Sequence, residues 1–318
     1  MKPFFLLLSF VAFSIICAAQ RVEQYLDYQL KPVAEDRAVY FSITDIAGDR
    51  FHRRIFYIRE DRLQRDGYYA DSKCTVKEGE FFYFYPDRNL EMTCNFSKNK
   101  LHGMYLSFHN NGMLKDSVHY EKGKPVGYSF GLHANGMYKD STVINEDGSG
   151  VAISWYENGM PSAAGYFAAG RKQRGTWQYF HKNGHPSARE LYDEGKLLER
   201  KYYDEQGQQQ TDTTSTDHAL SFTGGEGAWP RYVAVNAKIP EGWDLPAGDS
   251  VVLMVSAVID EEGKVTNAYV SAPYHPAFDK IALQLMIASP PWIPAVDHHR
   301  KIKTTLKVPI TFKRREGL

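Results

Sequence analysis

Eleven histidines give this chain its most obvious capacity for chemistry. A zinc-type site needs three or four His, Cys, Asp or Glu side chains converging on one point. The densest run is Asp297-His298-His299, and His275 stands just before a helical stretch. Neighbours on an extended chain point to opposite sides, so His298 and His299 make a poor pair of ligands and are expected on a solvated loop. His109, His133 and His181 recur at equivalent places about a repeat apart, which reads as a copied structural position. No Ser-centred nucleophile elbow or phosphate-cradling glycine loop is present. "FTGGEG" (222–227) is rich in glycine, but no strand precedes it, so it reads as a turn. No catalytic residue, metal or cofactor is therefore expected, and the protein reads as a non-enzyme.

Cys74 and Cys94 are the two cysteines beyond the N-terminal segment. They fall on or beside the second strands of successive repeat units, with "FFYFY" (81–85) between them. Next-but-one strands lie about 9–10 Å apart, beyond disulfide reach, so free thiols are expected. The 38 basic and 38 acidic residues cancel, which removes any global field steering the chain to nucleic acid or anionic lipid. The N-terminus, "MKPFFLLLSFVAFSIICAAQ", carries one Lys, an apolar run from Phe4 to Ile16 and small residues at Ala18 and Ala19. That pattern predicts a secretory signal peptide over 1–19, and hence an exported, periplasmic protein. The run is short of the roughly 20 residues a membrane-spanning helix needs. Bulky Ile16 also disfavours lipidation at Cys17.

The elements that must position any site are dominated by a repeat. "HNNGMLKD" (109–116), "HANGMYKD" (133–140), "YENGMPSA" (156–163) and "HKNGHPSA" (181–188) are near-copies. An Asn-Gly pair between aromatic-rich runs predicts a hairpin with a type I′ turn. Units start at Arg53, Gly79, Gly103, Gly127, Gly150 and Gly175, a spacing of 23 to 26 residues. The residue five past each start is apolar: Ile58, Phe84, Phe108, Leu132, Trp155 and Phe180. Consecutive hairpins of this kind predict an antiparallel meander with those residues as a buried stripe. "GTWQYFHKNG" (175–184) resembles the MORN-repeat-variant unit, a likeness that extends over about 53–207 and implies an elongated interaction surface without chemistry of its own. Residues 20–52 then form a lead-in.

Past the repeats, "TDTTSTDHALS" (211–221) is weakly hydrophobic, and a linker is placed at 208–220. The remainder, 221–318, reads as β-β-α-β: strands at 250–259 and 265–271, a helix over 275–289, and an alternating strand from Ile302 to Phe312. The fold class is mainly β, with about six hairpin repeats followed by a small α+β domain. "GGEGAW", "EEGKV", "FDKIAL", "PPWIPA" and "KVPITF" occur in the order seen in the C-terminal domain of TonB-type energy transducers, which this segment resembles. The resemblance implies capture of extended "box" segments of outer-membrane receptors by strand addition at a sheet edge. Coupling to the ExbB–ExbD motor is not implied, since the N-terminal apolar run is short and holds no His.

Edge-strand chemistry points to Lys301, Ile302, Lys303, Thr304, Thr305, Leu306, Lys307 and Val308 as the peptide-binding stretch. Pro309 lacks an N–H and is confined to an edge or a bulge. The expected partners are envelope proteins of the TonB-dependent receptor type, with no nucleic acid and no small-molecule cofactor. Self-association through the same strand is a competing use. The repeat sheet is expected to serve as spacer or second docking surface. The alternative is a repeat protein that binds glycan or protein at a surface, with the C-terminal domain as an assembly module.

Overall fold

A computed structural model describes residues 21–58, 61–246 and 249–314. The signal-peptide segment and Cys17 lie outside the described residues. Antiparallel pairing runs without a crossover through the first two-thirds of the chain. β1 (Val22–Leu26), β2 (Tyr40–Ala47), β3 (Arg50–Tyr57), β4 (Arg62–Tyr69) and β5 (Lys77–Phe84) pair in turn. β6 (Leu90–Ser97), β7 (Lys100–Phe108), β8 (Leu114–Glu121), β9 (Lys124–Leu132) and β10 (Tyr138–Ile144) continue the same sheet. It closes with β11 (Gly150–Trp155), β12 (Pro161–Ala168), β13 (Lys172–Phe180), β14 (Pro186–Asp193) and β15 (Lys196–Tyr202). The result is the expected meander, fifteen strands wide.

The Asn-Gly turns do not take the type I′ geometry. Gly112 N–H donates to His109 O and His109 N–H to Met113 O, each at 2.8 Å. That is a three-residue loop on a type I turn, with Gly112 (φ 80°) as its left-handed bulge residue, while Asn111 keeps a negative φ. The asparagines join units instead: Asn111 Nδ2 donates to Ala134 O (3.1 Å), Asn135 to Glu157 O (3.0 Å) and Asn158 to Lys182 O (3.1 Å). The type I′ turns sit between units, at Lys98-Asn99, Lys122-Gly123 and Glu194-Gly195.

A second ladder explains the repeated histidines. Tyr85 Oη donates to Phe108 O (2.8 Å). His109 Nε2 meets Leu132 O (2.8 Å), His133 Nε2 meets Trp155 O (2.9 Å) and Tyr156 Oη donates to Phe180 O (2.6 Å). Each unit thus satisfies a carbonyl of the next, next to its turn.

The buried row is displaced by one residue from its expected place. Ile58, Phe84, Phe108, Leu132, Trp155 and Phe180 are only half-buried. The residue before each one, four past the unit start, carries the burial at the sheet's ends: Tyr57, Tyr83 and Tyr179. Between them the row shrinks to Ser107, Gly131 and Ser154. Alternation along the first strand itself sets that face, as Phe81, Tyr83 and Tyr85 or Trp177 and Tyr179 show. The second strand carries a β-bulge beside each turn: Ser107 pairs with Asp116 but Phe108 with Leu114, so Lys115 is extra. Equivalent shifts make Gln64, Glu91, Lys139, Ser162 and Ser187 extra.

The C-terminal part comprises α1 (Ala228–Asn236), β16 (Ser250–Ile259), β17 (Val265–Ala272), α2 (Pro276–Ile287), a small hairpin of β18 (Ala295–Asp297) and β19 (Arg300–Ile302), and β20 (Thr304–Lys313). The expected β-β-α-β order is present, with α1 and the small hairpin added. His275 caps α2, its Nδ1 accepting from Ala277 N–H at 3.2 Å, and Pro276 opens the helix. Leu253, Ile259, Phe278, Ala282, Met286, Ile310 and Phe312 are fully enclosed between sheet and helices. Cys74 and Cys94 are free and both pack in the cluster around Phe81.

Candidate functional site

The strand expected from Ile302 to Phe312 is split at Lys303. Lys301 and Ile302 belong to β19, where Ile302 pairs with Ala295, and only Thr304 to Val308 of the candidate stretch lie on β20. Sheet order is β17-β16-β20, so among the described residues β20 is hydrogen-bonded to β16 alone. Its backbone orientation follows from Pro309, which sits opposite Met254. A residue without an N–H is tolerated where that position points away from the ladder. Backbone N–H and C=O groups alternate along a strand, so Thr305 and Lys307 share the outward direction with Pro309. Side-chain bonds to β16 agree. Met254 O and Val258 O, opposite Pro309 and Thr305, accept from Ser271 Oγ (3.4 Å) and Thr266 Oγ1 (3.1 Å) on β17 instead.

The sheet of the C-terminal domain faces the repeat sheet across a cleft of about 920 Å³. Thr304, Thr305 and Lys307 line one wall, with Ser256, Val258 and Tyr269. The opposite wall includes Gln64, Glu91, Lys115, Lys139 and Ser162, five of the six bulge residues. Bulges re-aim side chains, and here they deliver one polar residue per hairpin to a common surface. The spacing is visible in retrospect: Lys115, Lys139 and Ser162 each stand three positions past the turn glycine. Burial pushes the Glu91 carboxyl above its ordinary value, an effect that Lys307, Lys115 and Arg65 partly offset.

Both ends of the cleft are pinned. At one end Ala272 and Met254 pack with Leu26, Val39, Tyr40, Ile55 and Tyr57, and Tyr274 Oη donates to Asp36 O at 3.0 Å. At the other, the β18–β19 hairpin grips the last repeats. Arg300 donates to Tyr156 Oη (3.3 Å), Phe180 O (3.0 Å) and Ser162 O. His298 stacks on Tyr179 with ring centroids 3.5 Å apart, and His299 on Tyr202 at 4.6 Å. The two histidines thus take separate partners on the sheet, where a solvated loop was expected. Lys303 meets Glu157 at 2.5 Å, and that hydrogen bond holds the Glu157 carboxyl below its ordinary value. Sequence reasoning missed Arg300 and the stacking, because each joins residues more than 90 positions apart.

No helix among the described residues is long and apolar enough to cross a membrane. No curated protein matches the chain. Residues 247–314, which hold β16 through β20, match the family described as Gram-negative bacterial TonB protein C-terminal.

Proposed function

We propose that this is an exported, non-enzymatic envelope protein whose C-terminal domain binds an extended segment of a partner protein by strand addition along β20. The observation that carries this reading is the open edge of β20, with the outward backbone groups of Thr305 and Lys307 unused by β16. Such an edge offers an incoming strand its main-chain hydrogen bonds, the source of affinity in β-augmentation. Pro309 interrupts the row of donors, so the best-matched segment pairs with Thr304 to Val308. Lys301 and Lys303 precede that stretch and, with Lys307 inside it, discourage unspecific pairing. The similarity of 247–314 to the TonB C-terminal family supports partners of the outer-membrane receptor type. Because the bulge residues face the same cleft, the repeat sheet acts as a second docking wall and more than a spacer.

Thr305→Pro removes one outward donor without touching the β16 ladder. Fluorescence anisotropy with labelled receptor box peptides should show affinity reduced about tenfold, the loss of one hydrogen bond of roughly 1–1.5 kcal/mol. A folded variant that binds those peptides as the parent does ends the edge-capture reading. A loss of self-association with no peptide binding in either protein assigns the edge to a second copy of the chain instead.

A further inference from the structure

We propose that Asp217, Asp297 and His298 form a binding site for a divalent transition-metal ion of the zinc class. The linker is tied to β18 by a pair of backbone bonds, His218 N–H to Val296 O (3.0 Å) and Val296 N–H to His218 O (2.9 Å). In that antiparallel bridge the next residues out, Asp217 and Asp297, stand directly opposite one another. They form a non-hydrogen-bonded pair, the kind in which side chains come closest. Like charges so placed repel, yet the backbone fixes both carboxylates there. His298 follows in the turn, and one ligand atom from each of the three residues lies within 4.8 Å of the others.

The imidazole is prepared for this role from behind. Its Nδ1 lies 3.0 Å from Oε2 of Glu190, a carboxylate with no exposed surface. Glu190 is held in turn by Arg200 Nε (2.7 Å) and Tyr192 Oη (2.6 Å). The Nδ1 contact lacks hydrogen-bond alignment, but a buried carboxylate at that distance favours a proton on Nδ1 by charge and leaves the Nε2 lone pair for a metal. Nε2 stands 3.6 Å from Asp297 Oδ1, too far for a hydrogen bond and suited to sharing an ion. Stacking on Tyr179 locks the ring plane. Arg200 neutralises Glu190, so the charges of Asp217 and Asp297 are left to be met by the ion. Asp217 Oδ1 also accepts His299 N–H at 3.3 Å, which aims the linker carboxylate toward the turn. One imidazole nitrogen and two carboxylate oxygens suit zinc, with water completing the shell; calcium and magnesium take oxygen alone. The bound ion would join the linker, the β18–β19 turn and, through Glu190, the repeat sheet.

The test is calorimetric titration of the chelator-stripped protein with zinc chloride, beside Asp217→Asn, Asp297→Asn and Glu190→Gln. One saturable ion per parent chain is expected, with affinity lowered at least tenfold in each aspartate variant and about 10–100-fold in Glu190→Gln. Asp217 is exposed, so its variant stays folded even if the Glu190 variant does not. Absence of a one-to-one site in the parent, or parental zinc affinity in either aspartate variant, overturns the assignment.

Discussion

Replacing Trp177 and Trp155 by Ala separates two registers of the same sheet. If the residues five past each unit start formed the core row, Trp155 would be the costlier loss. The observed burial reverses this. Trp177 is 7% exposed, its ring 5.0 Å from Phe167 and 6.2 Å from Tyr179, and its Nε1 donates to Tyr166 O at 3.0 Å. It covers Gly165 so closely that a Cβ there would overlap the indole. Truncation leaves a cavity and an unpaired carbonyl, a loss of about 3–5 kcal/mol. Trp155 is half-buried, and its ring neighbour Tyr138, at 6.2 Å, is itself 50% exposed. About half the transfer energy of a buried side chain is at stake, roughly 1–2 kcal/mol. At about 2–4 °C per kcal/mol, calorimetry should place the Trp177 variant some 6–20 °C below the parent and the Trp155 variant roughly 2–8 °C below it. Equal shifts, or a larger one for Trp155, would refute the burial of position four and its neighbours on the first strands.

Two further outcomes follow from buried titratable groups. Burial raises Glu91 above 4.5, so the folded state binds the extra proton; stability is intact below that value and is lost as pH rises through the folded value. Urea unfolding of Glu91→Gln should therefore show a gain over the parent at about pH 8 that vanishes near pH 4; a gain independent of pH refutes it. The Cys94 thiol is pushed up to about 11 by burial and Cys74 is also raised, so both should resist a thiol-reactive dye at pH 8 until denaturant is added. Rapid labelling of the native protein would contradict that burial.

What the sequence carried and what it hid divide along the range of the contacts involved. A 23–26-residue period and a turn glycine in four of the six units are local signals, and they led to the meander. Pro276 after His275 gave the start of α2, and Pro309 within an alternating run gave the edge character of β20. Turn type was less legible, because a glycine with φ near +80° serves either a type I′ turn or a three-residue loop with a bulge. An extra residue is recognised only once the partner strand is known, so the bulges at Gln64, Glu91 and Lys115 went unseen. The break at Lys303 depended on Ile302 finding Ala295, and the stacking of His298 and His299 on Tyr179 and Tyr202 brought together residues about a hundred positions apart. Long-range pairing overrode local pattern in each case.

The bulges also account for how one frame can hold its shape while its surface varies. Asn-Gly turns and the Tyr/His-to-carbonyl ladder repeat from unit to unit, because each closes a bond that the next hairpin requires. The extra residue makes no such bond in the ladder: it is Gln64, Glu91, Lys115, Lys139, Ser162 and Ser187 in six successive units, differing in charge and size. Five of the six line the cleft, Ser187 being buried, and substitution at Gln64, Lys115, Lys139 or Ser162 changes what the cleft presents without disturbing backbone pairing. The main-chain edge of β20 is indifferent to the side chains of a bound segment, whereas the facing row of bulge residues is not. On the function proposed above, strand addition supplies the affinity and the repeat sheet the choice of partner.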